Sequence, residues 1–191
     1  MENKTDTIYI HRILGGDTDA FAYLVEKYQD MVYTLAYKIL GNKEDAEDAA
    51  QEAFVKCYRA LKNYNGHASF STWLYKITYN HALDILKKNT GKRHTIEWKS
   101  ELEPDLMQHR SFDEKIDLKE IQLLLKEAIH HLSPDDQAII TLYYYEDLPL
   151  RDIAEIIGIR ENNVKIKLYR IRSKLMELLK SKNEIISILN L

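Results

Sequence analysis

The sequence predicts an all-α protein built as two small helical domains joined by a flexible linker. Three observations carry this. Gly and Pro are scarce, at 6 and 3 of 191 residues, while Leu, Ile, Lys, Glu and Ala are plentiful. Apolar residues recur at helical spacing through several long segments. Between Asn89 and about Asp113 that periodicity fades, and Gly91, Pro104, Glu97, Glu101, Glu103, Asp105 and Asp113 gather there. The expected map is one domain at 7–88, a linker at 89–115 and a second domain at 116–182.

In chain order, residues before about Thr7 read as frayed. Asp17 or Thr18 can cap a helix running to Leu40, because Phe21, Leu24, Val25, Tyr28, Val32, Leu35, Ala36 and Ile39 make one stripe. Gly41-Asn42 stops it. Lys43 to Leu61 is the next helix. Ala46, Ala49, Ala50, Ala53, Cys57 and Ala60 give it a small-residue face suited to close packing. Asp48, Gln51, Glu52 and Val55 lie on its other side. Lys62 to Ser71 is a loop marked by Asn63, Asn65 and Gly66, with Tyr64 and Phe70 as aromatics in a polar setting. Ser69 or Ser71 can cap a helix over Thr72 to Lys88, which aligns Trp73, Lys76, Asn80, Asp84 and Lys87 on one face.

After the linker, Ile116 to Leu132 resumes helical spacing. Ser133-Pro134 is a cap followed by a first-turn proline, opening a helix through about Tyr145. The last stretch reads as two helices and a tight turn. Ile153, Ala154 and Ile157 precede Gly158, and Val164, Leu168, Ile171, Leu175 and Leu178 then step by four, three, four and three. Ala154 is small where the helices cross and Val164 plugs their angle. This is the helix-turn-helix pattern, whose second helix can lie in a major groove.

Charge supports that partner. From Arg160 to Lys182 there are eight basic residues and two acidic ones, in a chain of net charge -3. A cationic stripe against the overall sign points to phosphate. The start of such a helix reaches bases and its later cations meet the backbone. Arg160, Asn162, Asn163, Lys165 and Ile166 are therefore the expected readers. Lys167, Tyr169, Arg170, Arg172 and Lys174 are expected along the backbone, or, for Lys167, over the core edge. An ordinary repressor or activator with an N-terminal sensing domain would share this feature.

Other classes are excluded or weak. A single cysteine, Cys57, leaves no internal disulfide and no cysteine-based zinc site, and its place on the small face predicts a buried, inert thiol. Glu127-x-x-His130 has the spacing of half a di-iron site, but no other histidine has Glu three residues before it. No phosphate loop or nucleophile motif appears, so neither enzyme activity nor a cofactor is expected. The N-terminus lacks a basic-then-apolar leader, and no apolar run is long enough to insert in a membrane, which predicts a cytoplasmic protein.

The run Asp48-Ala-Ala-Gln51-Glu52-Ala-Phe54-Val55, then Tyr64-Asn65-Gly66, Phe70-Ser-Thr72-Trp73-Leu-Tyr-Lys76-Ile77 and Asn80, resembles region 2 of the sigma-70 family. The helix-turn-helix, preceded by Leu132-Ser133-Pro134 and Leu142-Tyr143-Tyr144, resembles region 4. With only a linker between them, the layout is similar to the extracytoplasmic function (ECF) subgroup. The resemblance spans about Asp17 to Leu179.

It implies a factor that binds RNA polymerase core, brings it to a promoter and helps open the DNA. The implied contacts to the clamp helices of the largest subunit are Asp48, Gln51, Glu52 and Val55, and region 4 would meet the flap. The implied contacts to the −10 element are Tyr64, Asn65, Ser69, Thr72, Trp73, Lys76 and Asn80. Aromatics beside lysines suit an unstacked strand, with stacking faces and charge, although Trp73 also suits a core role. The −35 element falls to Arg160, Asn162, Asn163, Lys165, Ile166, Lys167, Tyr169 and Arg170. An anti-sigma factor is implied as a further partner. Asn162-Asn163 replace a common Gly-Thr pair, and Lys165, Lys167 and Lys88 stand where arginine is frequent, so the promoter sequence is not carried over. Lysine offers a point charge where arginine grips guanine through two bonds.

Overall fold

The computed structural model describes residues 4–90 and 118–181. Every regular element in them is helical: α1 Lys4–Leu14, α2 Phe21–Leu40, α3 Lys43–Ala60, α4 Phe70–Thr90, α5 Leu118–His130, α6 Pro134–Ile140, α7 Leu150–Ile157 and α8 Glu161–Ser181. Helices α1–α4 make one bundle and α5–α8 the other. The expected linker lies outside the described residues from 91 onward; 89 and 90 still belong to α4.

Helix α2 forms the spine of the first bundle. Leu24, Val32, Leu35, Ala36 and Ile39 of its stripe are buried, and Gly41 ends it at φ 76°, a left-handed conformation that glycine adopts without steric cost. Asn42 then caps α3 by accepting from the Asp45 N–H at 2.8 Å. The alanine face of α3 is packed against α2 as its composition demands: Ala46, Ala49, Ala53 and Cys57 are all at most 1% exposed. Burial pushes the Cys57 thiol up to about 12, so it stays protonated and inert.

The N-terminus corrects the sequence reading. Residues 4–14 are helical, starting ahead of the frayed boundary placed near Thr7. Asp6 is 2% exposed and holds α1 on α2 through Lys27 and Tyr28. Ile10 and Ile13 are buried beside it, but a helix with only two buried apolar residues and a buried carboxylate shows little stripe.

In the second bundle Ser133 caps α6 by accepting from the Asp136 N–H. The helix expected through Tyr145 changes character after Ile140. Thr141–Tyr145 is a single π-helical turn, which swings Tyr144 and Tyr145 out to solvent. Gly158, at φ 79°, makes the turn between α7 and α8. Val164, Leu168, Ile171, Ile153 and Ala154 lock those two helices together, all buried.

The two bundles touch. Helix α4 packs on α7 and α2 on α6, and the buried side chains form one contiguous cluster through both. Polar links line the seam. Tyr75 donates to Glu146 Oε2 at 3.0 Å, Tyr79 donates to Asp135 Oδ1 at 2.9 Å, and Lys76 pairs with Glu155 at 3.8 Å. Burial, reinforced by the acceptor carboxylates, pushes both phenols above their ordinary range, so they remain donors. No helix among the described residues is long and apolar enough to cross a membrane.

Candidate functional site

Three surfaces gather the residues singled out from the sequence. The first lies on α3. Alanines turned toward α2 force the opposite side outward, leaving Asp48, Gln51 and Val55 exposed and Glu52 half-buried. These four line a groove of about 380 Å³ together with His81 and Ile85 of α4. Lys56 donates to His81 Nδ1 at 2.6 Å. Burial, followed by the nearby Lys56 charge, lowers the His81 pKa and keeps the ring neutral as an acceptor. The groove thus offers an acidic edge and an apolar floor to a basic, amphipathic partner. His81 and Ile85 carry no local sequence signal for this role; only the packing of α4 on α3 brings them in.

The second surface is the loop before α4 and the start of that helix. Ser69 is the cap, accepting from the Thr72 N–H at 3.1 Å and sharing hydroxyl bonds with Ser71 and Thr72. Asn65 Oδ1 accepts from the His67 N–H, shaping the turn around Gly66. The Tyr64 hydroxyl donates to the Ala68 carbonyl at 2.8 Å. Its ring lies 5.2 Å from Trp73 and 6.0 Å from Phe70. Phe70 is buried, and Tyr64 and Trp73 lie half-exposed above it as an aromatic shelf. Trp73 therefore serves the core and remains accessible. Asn65 and Asn80 are exposed, and Lys76 is half-exposed beside Glu155. Thr72 is fully buried with its hydroxyl engaged by Ser69, so it supports the loop from inside and does not face a strand.

The third surface is the outer side of α8. Arg160, Asn162, Asn163, Lys165, Ile166, Tyr169 and Arg170 are all exposed, while Val164, Leu168 and Ile171 face the core. Lys165 pairs with Glu161, one turn before it, at 3.7 Å; such exposed pairs contribute about 1 kcal/mol at most and release easily. Three expected backbone anchors already hold partners within the second bundle, Lys167 half-buried and Arg172 and Lys174 still exposed. Lys167 pairs with Asp136 at 3.2 Å and covers the core edge. The Arg172 Nε donates to the Tyr144 hydroxyl at 2.8 Å, its guanidinium against the Tyr143 and Tyr144 rings. Lys174 reaches the His131 carbonyl. Their partners are 28 to 43 residues away in sequence, so no local pattern could reveal them.

Comparison with known proteins gives the family. Residues 24–92 match sigma-70 region 2 and residues 122–175 match sigma-70 region 4. The chain is 31% identical to the ECF RNA polymerase sigma factor SigW of Bacillus subtilis, covering 90% of this chain and 95% of that one. It is 32% identical to the ECF RNA polymerase sigma-E factor of Escherichia coli K12, covering 90% and 92%. Its fold is similar to that of CnrH, solved with the cytosolic domain of CnrY, at a TM-score of 0.65 and 19% identity over 91% of this chain and 96% of that one. Two helical modules in this order, matched over nearly their full length, identify the chain as a member of the sigma-70 family of RNA polymerase sigma factors, in its ECF subgroup.

Proposed function

We propose that this chain acts as an ECF sigma factor in the cytoplasm, where it recruits RNA polymerase core to promoters, reads them and helps melt them. It is an initiation factor and not an enzyme. The observation that carries this is the pairing of an exposed, cationic recognition helix with an aromatic strand-binding shelf in one chain. Asp48, Gln51, Glu52 and Val55 form the polymerase contact. Tyr64, Asn65, Ser69, Trp73, Lys76 and Asn80 serve the −10 strand. Arg160, Asn162, Asn163, Lys165, Ile166, Tyr169 and Arg170 serve the −35 duplex. CnrH and the Bartonella quintana sigma factor RpoE were solved with CnrY and with the anti-sigma factor NepR, which supports an anti-sigma partner here as well. The deciding experiment adds the purified protein to core polymerase. Promoter-specific transcripts are expected; operator binding without polymerase, and no transcripts, would make it an ordinary repressor or activator.

The recognition helix makes a sharper test. Asn can hold adenine by two hydrogen bonds and lysine can reach guanine. Replacing Asn163 or Lys165 by alanine should cost on the order of 1–3 kcal/mol at the cognate −35 site and relax base preference locally. Arg170→Ala should weaken all sequences alike and flatten the salt dependence. A promoter library read with each variant separates them. A changed −35 preference with Arg170→Ala, and none with Asn163→Ala, would mean the helix enters the groove in another rotation.

Lys76 cannot hold a DNA strand while it pairs with Glu155. A carbodiimide, which joins an amine directly to a carboxylate, should link these two residues in the free protein. The link should vanish in the promoter complex, while the Lys167–Asp136 pair inside the second bundle remains linkable throughout. A Lys76–Glu155 link that persists in the promoter complex would remove Lys76 from the strand-binding set.

A further inference from the structure

We propose that Asp6 is a positioning residue for the strand-reading shelf, acting through Tyr28 and Phe70 on Tyr64 and Trp73. This rests on the reading of that shelf as the −10 contact. Asp6 lies ahead of the segment that matches sigma-70 region 2.

A carboxylate buried to 2% exposure is costly unless it is paired and hydrogen-bonded. Asp6 has both kinds of partner. Lys27 donates to its Oδ1 at 2.5 Å and Tyr28 donates to its Oδ2 at 2.6 Å. An apolar residue could cover α2 at lower cost, so simple packing does not account for an acid here. What the acid adds is direction. It fixes the Tyr28 hydroxyl oxygen and with it the lean of the ring against Phe70.

That ring is the first of a connected series. Its centroid lies 5.6 Å from Phe70 and 6.2 Å from Tyr75. Phe70 in turn lies 6.0 Å from both Tyr64 and Trp73, which meet each other at 5.2 Å. Close-packed interiors transmit displacement, because rings in contact cannot shift one at a time. Helix α1 also touches the turn at Leu61–Asn63, the residues just before Tyr64. The Tyr9 and Tyr23 rings stack at 3.8 Å, seating α1 on α2 independently of the carboxylate. Removing the carboxylate therefore takes from the Tyr28 hydroxyl one of its two partners and leaves it to Ser71 alone, drawing the ring toward the loop while α1 stays docked.

The test uses Asp6→Ala and Tyr28→Phe in the full chain. Trp98→Phe leaves Trp73 as the only tryptophan of the two in the sequence. Both variants should make Trp73 emission more readily quenched by acrylamide. In holoenzyme, a promoter library should show base discrimination at the −10 element falling roughly twofold to thirtyfold, with −35 preference and core affinity unchanged. Asp6→Asn, which keeps an acceptor for Tyr28, should restore the −10 preference. Lower thermal stability with Trp73 quenching and −10 preference intact would overturn the proposal, and so would a quenching change without a change in preference. Should Asp6→Ala fail to fold, Tyr28→Phe, which removes one hydroxyl, decides. Tyr64→Ala in the same library separates the two readings. If it lowers −10 discrimination and Tyr28→Phe does not, the role of Asp6 falls alone; if it changes nothing, the strand-reading shelf falls with it.

Discussion

Reversing the charge of Asp48 and Glu52 together, both to lysine, is expected to weaken binding to core polymerase on the order of a hundredfold. A like charge set against a basic partner costs several kcal/mol, and about 3 kcal/mol corresponds to that factor. The fold should survive, because Asp48 is exposed and Glu52 half-buried on the side of α3 away from the alanine face. A thermal melt close to wild type, with lost affinity in an equilibrium binding assay, is the outcome that assigns this groove. Unchanged affinity in the folded double variant would move the polymerase contact elsewhere.

The second large effect is one of stability. Phe70→Ala should cost about 3–5 kcal/mol, the range for deleting a buried ring from a core that cannot collapse around the space. Phe70 is 1% exposed and meets Tyr28, Tyr64 and Trp73. Domains of this size are stable by only about 5–15 kcal/mol, so a large part of the margin disappears. Tyr64→Ala, at the half-exposed edge of the same cluster, should cost far less. Denaturation followed by helical circular dichroism ranks the two. An equal loss in both would mean that the loop rests on the turn hydrogen bonds and not on the buried ring.

The sequence made the helices legible wherever a stripe of large apolar residues did the packing. The steps from Leu24 to Ile39 and from Val164 to Ile171 could be read directly, as could the stops at Gly41 and Gly158. The exposed face of α8 followed from the same phase. What escaped were features set by distant partners. Asp6 finds Lys27 and Tyr28 more than twenty residues away, and nothing local marks a buried acid. Arg172 reads as a backbone anchor and Lys167 as an anchor or a cover for the core edge until Tyr144 and Asp136 are seen beside them. Thr72 has the chemistry of a DNA contact, but its position in the first turn of α4 directs it inward. The seam between the bundles was equally hidden. Tyr75 and Tyr79 carry no local sign that Glu146 and Asp135, more than fifty residues on, accept from them.

The alanine face of α3 has a consequence for how this chain can vary. Alanine carries almost no bulk, so Ala46, Ala49 and Ala53 act as a spacer of minimum thickness between the spine helix and the outer groove. A bulkier side chain at any of them would lever α3 away from α2, at a typical cost of about 1–3 kcal/mol. It would also slide Asp48, Glu52 and Val55 past His81 and Ile85, which ride on a different helix. The groove would then keep every residue and lose its shape. The shape of the groove is thus set from the side of α3 that faces away from it.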